Sequence, residues 1–247
     1  MLSEDILRRA LHAAGLEAPV AFQDDMPSTN RTAMELAEAG SPAWTVVAAN
    51  HQTEGRGRLG RSWISEPGSS VLFSVLLRPR LDPDGSTIVA LGAGAAAAEA
   101  CSGASKVDVA CKWPNDLLVG EAKVGGILCE SAVASGQLRH IVVGVGINLT
   151  PPSDVEGAGG LGDVDVEDLL GRFLARFREL IDAGPGPVLA AYRPRCATLG
   201  RAVRVHLASG RLVEGIAEDL DGRGALIVRG DEGAVIVGFG EVVHLRP

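Results

Sequence analysis

Seven residues, from Gly55 to Arg61, contain three glycines and three arginines. Glycine lets the backbone come close to a ligand, and arginine supplies a planar, permanently charged donor for carboxylate or phosphate. The apolar residues 45–49 before this stretch predict a buried strand, from whose end the stretch would emerge. These residues predict an anion-binding loop, and the alternative is a solvated basic turn between two strands.

Two familiar phosphate-binding motifs do not explain this stretch. The spacing of Gly55, Gly57 and Gly60 matches the dinucleotide fingerprint, but that fingerprint must open a helix. Residues 63–68 instead indicate a turn and residues 71–77 another strand, while arginines stand where an acidic ribose-binding residue is expected. A Rossmann site is therefore disfavoured. A Walker loop is excluded because its glycine-lysine sequence is absent from the chain.

A second candidate site is the stretch Lys112-Trp-Pro-Asn-Asp116, which gathers a cation, an aromatic ring, an amide and a carboxylate around one turn. A turn alone would need only the Pro-Asn-Asp part. Farther on, Lys123 precedes two glycines in a predicted strand, which indicates the close approach of another group. The chain has 20 arginines but only three lysines. The three lysines all lie within residues 106–123, which indicates that a compact ammonium group is needed there.

Composition limits the classes of function. The chain has 247 residues, of which 46% are hydrophobic, enough for one large domain or a main domain with a small appendage. A net charge of −8 argues against a general nucleic-acid or membrane surface. The four cysteines are isolated, which predicts neither a disulfide framework nor a zinc site. With no apparent signal peptide or membrane-spanning run, a soluble cytoplasmic protein is expected.

Hydrophobic periodicity predicts the elements that hold these stretches. Helices are predicted at residues 3–15, 29–39, 84–101, 166–181 and 188–192, and strands at 20–23, 45–49, 71–77, 106–113, 117–119, 123–133 and 139–149. Residues 151–163 predict a loop. From residue 199 onward, short alternating runs predict a five-stranded β-barrel. The expected fold is α+β, with a mixed or antiparallel central sheet and flanking helices in a domain of residues 1–198, and a barrel domain of residues 199–247.

Five motifs, in this order along the chain, resemble those of the biotin protein ligases. They are Ser28-Thr-Asn30, Gly55-Arg-Gly-Arg-Leu-Gly-Arg-Ser-Trp63, Lys112-Trp-Pro-Asn-Asp116, Lys123-Val-Gly-Gly-Ile127 and Gly144-Val-Gly-Ile-Asn148. Because only about 20 residues precede the first predicted strand, the chain resembles the ligase-only class, which lacks an N-terminal DNA-binding domain. The resemblance implies the class II synthetase-like fold of biotin and lipoyl ligases, followed by an SH3-like barrel.

The resemblance also implies a two-step reaction that uses ATP, biotin and Mg²⁺. Biotin and ATP would give biotinyl-5′-adenylate and pyrophosphate. The adenylate would then acylate one lysine of a biotin carboxyl carrier protein or domain, in acetyl-CoA carboxylase or a related acyl-CoA carboxylase. The implied protein binds neither DNA nor a membrane, and it is a monomer or a homodimer.

Residue roles follow from the same motifs. Biotin would be bound by Ser28, Thr29, Asn30, Gln52, Arg56, Gly57, Arg58, Lys123 and Gly125. ATP and the adenylate would be bound by Arg58, Arg61, Trp63, Asn115, Lys123 and Asn148. The catalytic groups would be Arg58, Lys112, Asp116 and Lys123, with Asp116 holding Mg²⁺ or the acceptor amine. Carboxylate attack on the α-phosphate joins two anions, so cations here would offset charge in the transition state.

Three other functions compete with this one. A lipoate or octanoyl transferase resembles the family in fold, but its members lack this arginine stretch together with Lys-Trp-Pro-Asn-Asp. A non-catalytic sensor of biotin or nucleotide would keep the pocket without needing Lys112, Asp116 or Lys123. A transcription factor fits neither the acidic charge balance nor the missing reading helix.

Overall fold

A computed structural model of the chain describes residues 1–79, 85–134, 137–207, 210–238 and 240–245. Seven strands form its larger sheet: β1 Val20–Met26, β2 Val46–Gln52, β3 Ser70–Leu77, β4 Ala110–Lys112, β5 Asp116–Val119, β6 Ala122–Ala134 and β7 Gln137–Asn148. Their order across the sheet is β1-β2-β3-β7-β6-β5-β4. The β1–β2 pair is parallel and the other pairs are antiparallel, so the predicted mixed sheet is confirmed.

The described residues form five α-helices: α1 Glu4–Ala13, α2 Thr29–Glu38, α3 Ser86–Ser105, α4 Val166–Ala183 and α5 Pro185–Tyr192. Ser3 caps α1, since its hydroxyl accepts the Ile6 backbone N–H at 3.3 Å. Most of the core lies where α1, α3, α4 and α5 cover one face of the sheet. Helix α2 covers part of the other face with a smaller apolar cluster.

Helix α3 is the central helix of this core, and its small residues let neighbours come close. A Cβ atom on Gly94 would lie 3.3 Å from the Tyr192 ring, and one on Gly92 would lie 3.4 Å from Val188. By length and composition α3 could cross a membrane, but 67% of its apolar window is buried inside the protein. Burial of that kind is typical of a core helix.

Two predicted boundaries near α3 differ from the structure. The predicted start at Asp84 lies outside the described residues, and the helix continues to Ser105. The strand predicted at 106–113 is confined to Ala110–Lys112. Lys106 ends the helix in the left-handed conformation, with φ of 60°, so the chain must turn before it can pair with β5.

The remaining five strands form a second, antiparallel sheet: β8 Ala202–His206, β9 Leu212–Leu220, β10 Leu226–Gly230, β11 Gly233–Val237 and β12 Glu241–His244. Their order is β11-β10-β9-β8-β12, so the five predicted strands are confirmed. The predicted closure of these strands into a barrel is not observed, because β11 and β12 are edge strands that do not pair with each other in the described residues. Among the described residues this sheet is therefore open.

The four cysteines are free thiols that lie in or beside the core. Burial raises the pKa of Cys101 and of Cys129 to about 12. Burial also raises the pKa of Cys111 and of Cys196 above the ordinary value for a thiol. The thiols therefore pack as small apolar groups, as the sequence predicts.

Candidate active site

A cavity of about 380 Å³ lies between strands β6 and β7 and the arginine loop, defined as residues 55–63. Every predicted site residue except Gly125 and Asn148 lines it: Ser28, Thr29, Asn30, Gln52, Arg56, Gly57, Arg58, Arg61, Trp63, Lys112, Asn115, Asp116 and Lys123. The start of β12, from the second sheet, closes one side of the cavity. The structure thus brings motifs from distant parts of the chain to one place.

The polar floor of the cavity consists of Ser28, Thr29, Asn30 and Gln52, and the fully buried Ser74 supports it from β3. Ser28 caps helix α2, which fixes the start of that helix against the sheet. The Gln52 side-chain oxygen accepts the Thr29 backbone N–H at 2.7 Å and the Thr29 hydroxyl at 3.1 Å. The Ser74 hydroxyl, on β3, lies 2.8 Å from Thr29 Oγ1 and 2.6 Å from Asn30 Oδ1. Hydrogen bonds therefore orient this floor in the ligand-free protein.

Asn30 uses its whole amide group within the protein. Its Oδ1 atom accepts from Ser74, while Nδ2 donates to the Leu128 carbonyl at 3.2 Å and to Glu130 Oε2 at 2.8 Å. Gly144 makes room for it, because a Cβ atom there would lie 2.2 Å from Asn30 Oδ1. Asn30 thus holds the floor together, in addition to lining the cavity.

The arginine loop owes its shape to its glycines. A Cβ atom on Gly55 would lie 2.4 Å from the Trp63 carbonyl oxygen, at a point where the two ends of the loop meet. Across the loop, the Gly57 N–H donates to the Arg61 carbonyl at 2.7 Å. Gly60 has φ of 75° and Leu59 has φ of 56°, so the tip of the loop is left-handed. The narrow loop turns its arginines toward different partners.

Arg58 is the most buried cation of the loop. Its guanidinium donates to Asn115 Oδ1 at 2.8 Å and to the Gly240 carbonyl of the second sheet at 3.4 Å. Burial lowers the pKa of Arg58, and the nearby Asp116 carboxylate acts in the opposite direction. Arg58 stays protonated, since an arginine pKa lies far above 7. It therefore brings a positive charge into a partly desolvated site.

The other two arginines of the loop pair with carboxylates that the sequence did not single out. Arg56 lies 2.9 Å from Glu130 on β6. Arg61 pairs with Glu241 at the start of β12, and this hydrogen bond lowers the pKa of Glu241. The loop is thus attached to both sheets.

Trp63 lies over two glycines of the central sheet. A Cβ atom on Gly146 would lie 2.7 Å from the indole ring, and one on Gly126 would lie 3.2 Å from it. The Lys123 ammonium is 6.0 Å from the ring centroid. The indole Nε1 atom is buried and has no hydrogen-bond partner among the described residues. The ring is thus a flat apolar surface with one unused donor.

Lys123 and Asp116 form an ion pair at the centre of the site, with Nζ and Oδ1 2.6 Å apart. The backbone of Lys123 is fixed as well. Its N–H donates to the Gly157 carbonyl and its carbonyl accepts from the Gly159 N–H, both at 2.8 Å. The predicted loop at 151–163 therefore pairs with the start of β6 beside the lysine. Lys112, at the end of β4, lines the same cavity.

Asn148 lies in an adjoining cavity of about 140 Å³, which Trp63 and Lys123 also line. Its side-chain Nδ2 donates to the Gly159 carbonyl at 3.1 Å, and its Oδ1 accepts from the Ser70 hydroxyl at 3.3 Å. The tryptophan thus has the main cavity on one side and Asn148 on the other.

The turn at 112–116 is held by the second sheet through Trp113, which is only 1% exposed. The indole N–H of Trp113 donates to the Gly224 carbonyl at 3.0 Å, and its backbone N–H donates to Thr198 Oγ1 at 3.0 Å. Thr198 also lies 3.0 Å from Nε2 of His244 on β12. Burial, helped by nearby cations, lowers the pKa of His244 to about 4. A neutral histidine therefore belongs to this contact at neutral pH.

One predicted glycine does not reach the cavity, and three polar residues around the site were not predicted. A Cβ atom on Gly125 would lie 2.9 Å from the Gly146 carbonyl oxygen of the neighbouring strand. The next residue, Gly126, lines the cavity instead. Successive residues of a strand point to opposite faces of the sheet, so the sequence could have shown that only one of these two glycines faces the cavity. Ser74, Glu130 and Glu241 were missed, since only tertiary contacts reveal them.

Asp116 is the predicted Mg²⁺ ligand. No group of three or more His, Cys, Asp or Glu side chains that could hold a metal occurs among residues 1–79, 85–134, 137–207, 210–238 and 240–245. Mg²⁺ is often bound by one or two carboxylates together with substrate phosphates and water. A single carboxylate beside a cavity lined by cations fits that pattern, although Lys123 already pairs with it.

The two ends of the site differ in chemistry. The polar floor offers neutral hydrogen-bonding groups beside the apolar residues Ile127, Leu128 and Val145. The opposite end offers Arg58, Lys112 and Lys123. Such a cavity can hold a neutral polar ring at one end and an anion at the other.

Comparison with known proteins identifies relatives along most of the chain. Residues 22–148 match the biotin/lipoate A/B protein ligase family, and residues 198–245 match the biotin protein ligase C-terminal domain. A biotin–acetyl-CoA-carboxylase ligase from Paracoccus denitrificans is 35% identical over 87% of this chain and 96% of its own length. An enzyme of the same name from Mycobacterium tuberculosis is 35% identical over 89% of this chain and 86% of its own length.

Solved structures agree with the sequence relatives. The biotin protein ligase from Aquifex aeolicus in complex with biotin and ATP superposes with a TM-score of 0.74 at 25% identity. The match covers 93% of this chain and 99% of the other. The two-sheet architecture is therefore shared.

Proposed function

This chain belongs to the biotin/lipoate A/B protein ligase family, and we propose from that premise that it is a biotin protein ligase. In the first step, a biotin carboxylate oxygen attacks the α-phosphate of ATP. The bond from that phosphate to pyrophosphate breaks, and biotinyl-5′-adenylate forms. In the second step, a neutral lysine amine of a biotin carboxyl carrier domain attacks the acyl carbon. AMP leaves, the amine gives up a proton, and an amide bond remains.

Biotin would bind with its ureido ring on the polar floor. Thr29 and Gln52 are already oriented by their mutual hydrogen bonds, and Ser28 lies beside them at the start of α2. The apolar part of biotin would lie against Ile127 and Val145. Its carboxylate would then point along the cavity toward the arginine loop. Arg56 and Gly57 would contact the acyl-phosphate end.

Lys123 and Arg58 are proposed to stabilise the adenylation transition state. Both are held near Asp116, Lys123 by its ion pair and Arg58 through Asn115. Pre-oriented cations of this kind typically contribute about 3–4 kcal/mol of transition-state stabilisation. Lys112 would add a third positive charge at the same point. A Mg²⁺ ion, held by Asp116 and the phosphates of ATP, would neutralise part of the pyrophosphate charge.

The adenosine part of ATP would bind between Trp63 and Asn148. The flat indole suits stacking with adenine, and both residues line the adjoining cavity. Arg61, beside Glu241, would contact the phosphates or ribose at the mouth of the site. The exposed rim of the site would receive the carrier domain of a carboxylase.

This proposal depends most on the position of Lys123. That ammonium lies between the polar floor, which suits biotin, and Trp63 with Asn148, which suit adenosine. A sensor would not need a lysine ion-paired at that junction. The proposal also retains the division into domains of residues 1–198 and 199–247. It places the enzyme in the cytoplasm, where ATP and carboxylases are found.

Biotin-dependent ATP–pyrophosphate exchange tests this function. The wild type should exchange with biotin but not with lipoate. Lys123→Ala should lower the exchange rate at least about 100-fold. Lys106→Ala, at the end of α3 away from the cavity, is the matched lysine control and should retain the wild-type rate. Folded wild type with Mg²⁺ that fails to exchange with biotin would refute the proposal.

A further inference from the structure

Glu130 connects the polar floor to the arginine loop through its two carboxylate oxygens. Oε2 accepts from Asn30 Nδ2 at 2.8 Å, and Oε1 lies 2.9 Å from the Arg56 guanidinium. The side chain is 23% exposed, so the contact is partly shielded from water. Each oxygen has a different partner, and the partners come from separate motifs. The carboxylate therefore bridges two parts of the site.

The two partners of Glu130 differ in rigidity. Asn30 is 3% exposed, and its remaining bonds go to Ser74 and to the Leu128 carbonyl. The Arg56 side chain is 48% exposed and lies on the loop. The contact between Glu130 and Arg56 joins two charged groups, and such contacts are stronger than hydrogen bonds between neutral groups. Because Asn30 fixes Glu130, Glu130 can orient Arg56. The position of Asn30 on the floor therefore determines the position of Arg56 on the loop.

We propose that Glu130 is a positioning residue for biotin. It holds Arg56 at the distance from the floor that a bound biotin requires, whereas Arg58 is held separately through Asn115. This inference rests on the proposed ligase function. Because Glu130 acts on the loop before ligand binds, its loss raises the concentration of biotin needed and leaves the chemical step nearly unchanged. ATP binding, which depends on Trp63 and Asn148, is unaffected.

The main test is the exchange kinetics of Glu130→Gln, which keeps the shape and removes the charge. We expect the KM for biotin to rise about tenfold, with kcat and the KM for ATP within about twofold of wild type. Glu218→Gln is the matched control, because Glu218 also pairs with an arginine but lies on the second sheet. That control should match wild type in all three parameters. An unchanged KM for biotin in Glu130→Gln would overturn the inference.

A double-mutant cycle separates positioning from a general loss of structure. Arg56→Ala and Glu130→Ala should each raise the KM for biotin, and the double variant should be no worse than the poorer single variant. Additive effects would show that the two residues act separately and would overturn the inference. If a variant unfolds, titration calorimetry of biotin on Glu130→Gln alone decides the question. A wild type that shows no biotin-dependent exchange refutes the function itself, whereas an active wild type with an unaffected Glu130→Gln refutes only this role.

Discussion

The two ends of the site are built in different ways. At the polar floor, Ser28, Thr29, Asn30 and Ser74 are each at most 4% exposed, and Ser74 is hydrogen-bonded to Thr29 and Asn30. On the arginine loop, by contrast, the Arg61 side chain is 64% exposed. Buried polar networks are rigid when every group is satisfied, whereas exposed ion pairs contribute little and are easily broken. The floor assigned to biotin is therefore preformed, whereas the tip of the arginine loop depends on contacts that can be remade.

The largest expected difference between the two ends concerns two glycines of β7. In Gly144→Ala the new methyl group would meet Asn30, which cannot move, and we expect unfolding free energy to fall by about 1–3 kcal/mol. In Gly146→Ala it would meet the Trp63 ring, which can swing outward with its loop, and we expect a loss below about 1 kcal/mol. Urea denaturation of both variants measures this. Equal losses would contradict the contrast in rigidity.

Two serines on β3 make the next comparison. Ser74→Ala removes the hydroxyl that contacts Thr29 Oγ1 and Asn30 Oδ1, and should raise the KM for biotin about tenfold because the buried Asn30 oxygen loses its donor. Ser70→Ala removes a donor to Asn148, so it should raise the KM for ATP instead. Exchange assays with each substrate varied in turn provide the measurement. If both variants affected the same substrate, the division of the site into two ends would be wrong.

A smaller effect is expected where the loop meets the second sheet. Glu241→Gln weakens the exposed pair with Arg61, and we expect the KM for ATP to rise about two- to fivefold at low salt. The rise should shrink as ionic strength increases, because salt screens an exposed pair. The KM for biotin should stay constant at every salt concentration. A change for biotin as well would mean that Glu241 also supports the part of the loop that carries Arg56.

The last effect concerns pH and the contact between the sheets, and it tests stability instead of substrate binding. His244 has its pKa lowered to about 4, while an unfolded histidine titrates near 6.5. Between these values the unfolded chain binds a proton that the folded chain does not, so folding stability falls as pH drops from 6.5 to 4. His244→Gln removes this term and should show a smaller fall between pH 7 and pH 5 in urea titrations. His140, whose pKa is also lowered, is present in the wild type and in His244→Gln, so its contribution cancels in the comparison.

Local sequence signals predicted most of the fold, because they depend on neighbours in the chain. Helices α1 and α2, which begin at the caps Ser3 and Ser28, lie where local periodicity predicts them. Failures occurred where tertiary contacts decide the outcome. The start of the strand predicted at Lys106 is displaced by a left-handed helix end. Closure of the second sheet depends on pairing between edges, which no alternating pattern specifies.

For the site, motif residues were predictable but their supports were not. Arg58, Asp116 and Lys123 were named from spacing and resemblance, and the structure brings them together. Ser74 is an ordinary strand serine in the sequence, and it acquires a role only because α2 packs on β3. Glu130 acquires its role in the same way, through partners 74 and 100 residues distant in the chain. Such roles follow from packing rather than from residue type.

The buried thiols have a practical consequence for spectroscopy. Thiolate, not thiol, reacts with maleimides and other alkylating labels, so cysteines with a pKa of about 12 label very slowly at neutral pH. Labelling of the native cysteines by a reporter dye or spin label should therefore be low. Leu59, at the tip of the arginine loop and 57% exposed, is a suitable position for an introduced cysteine. A probe there would report the motion of the loop without removal of any native cysteine.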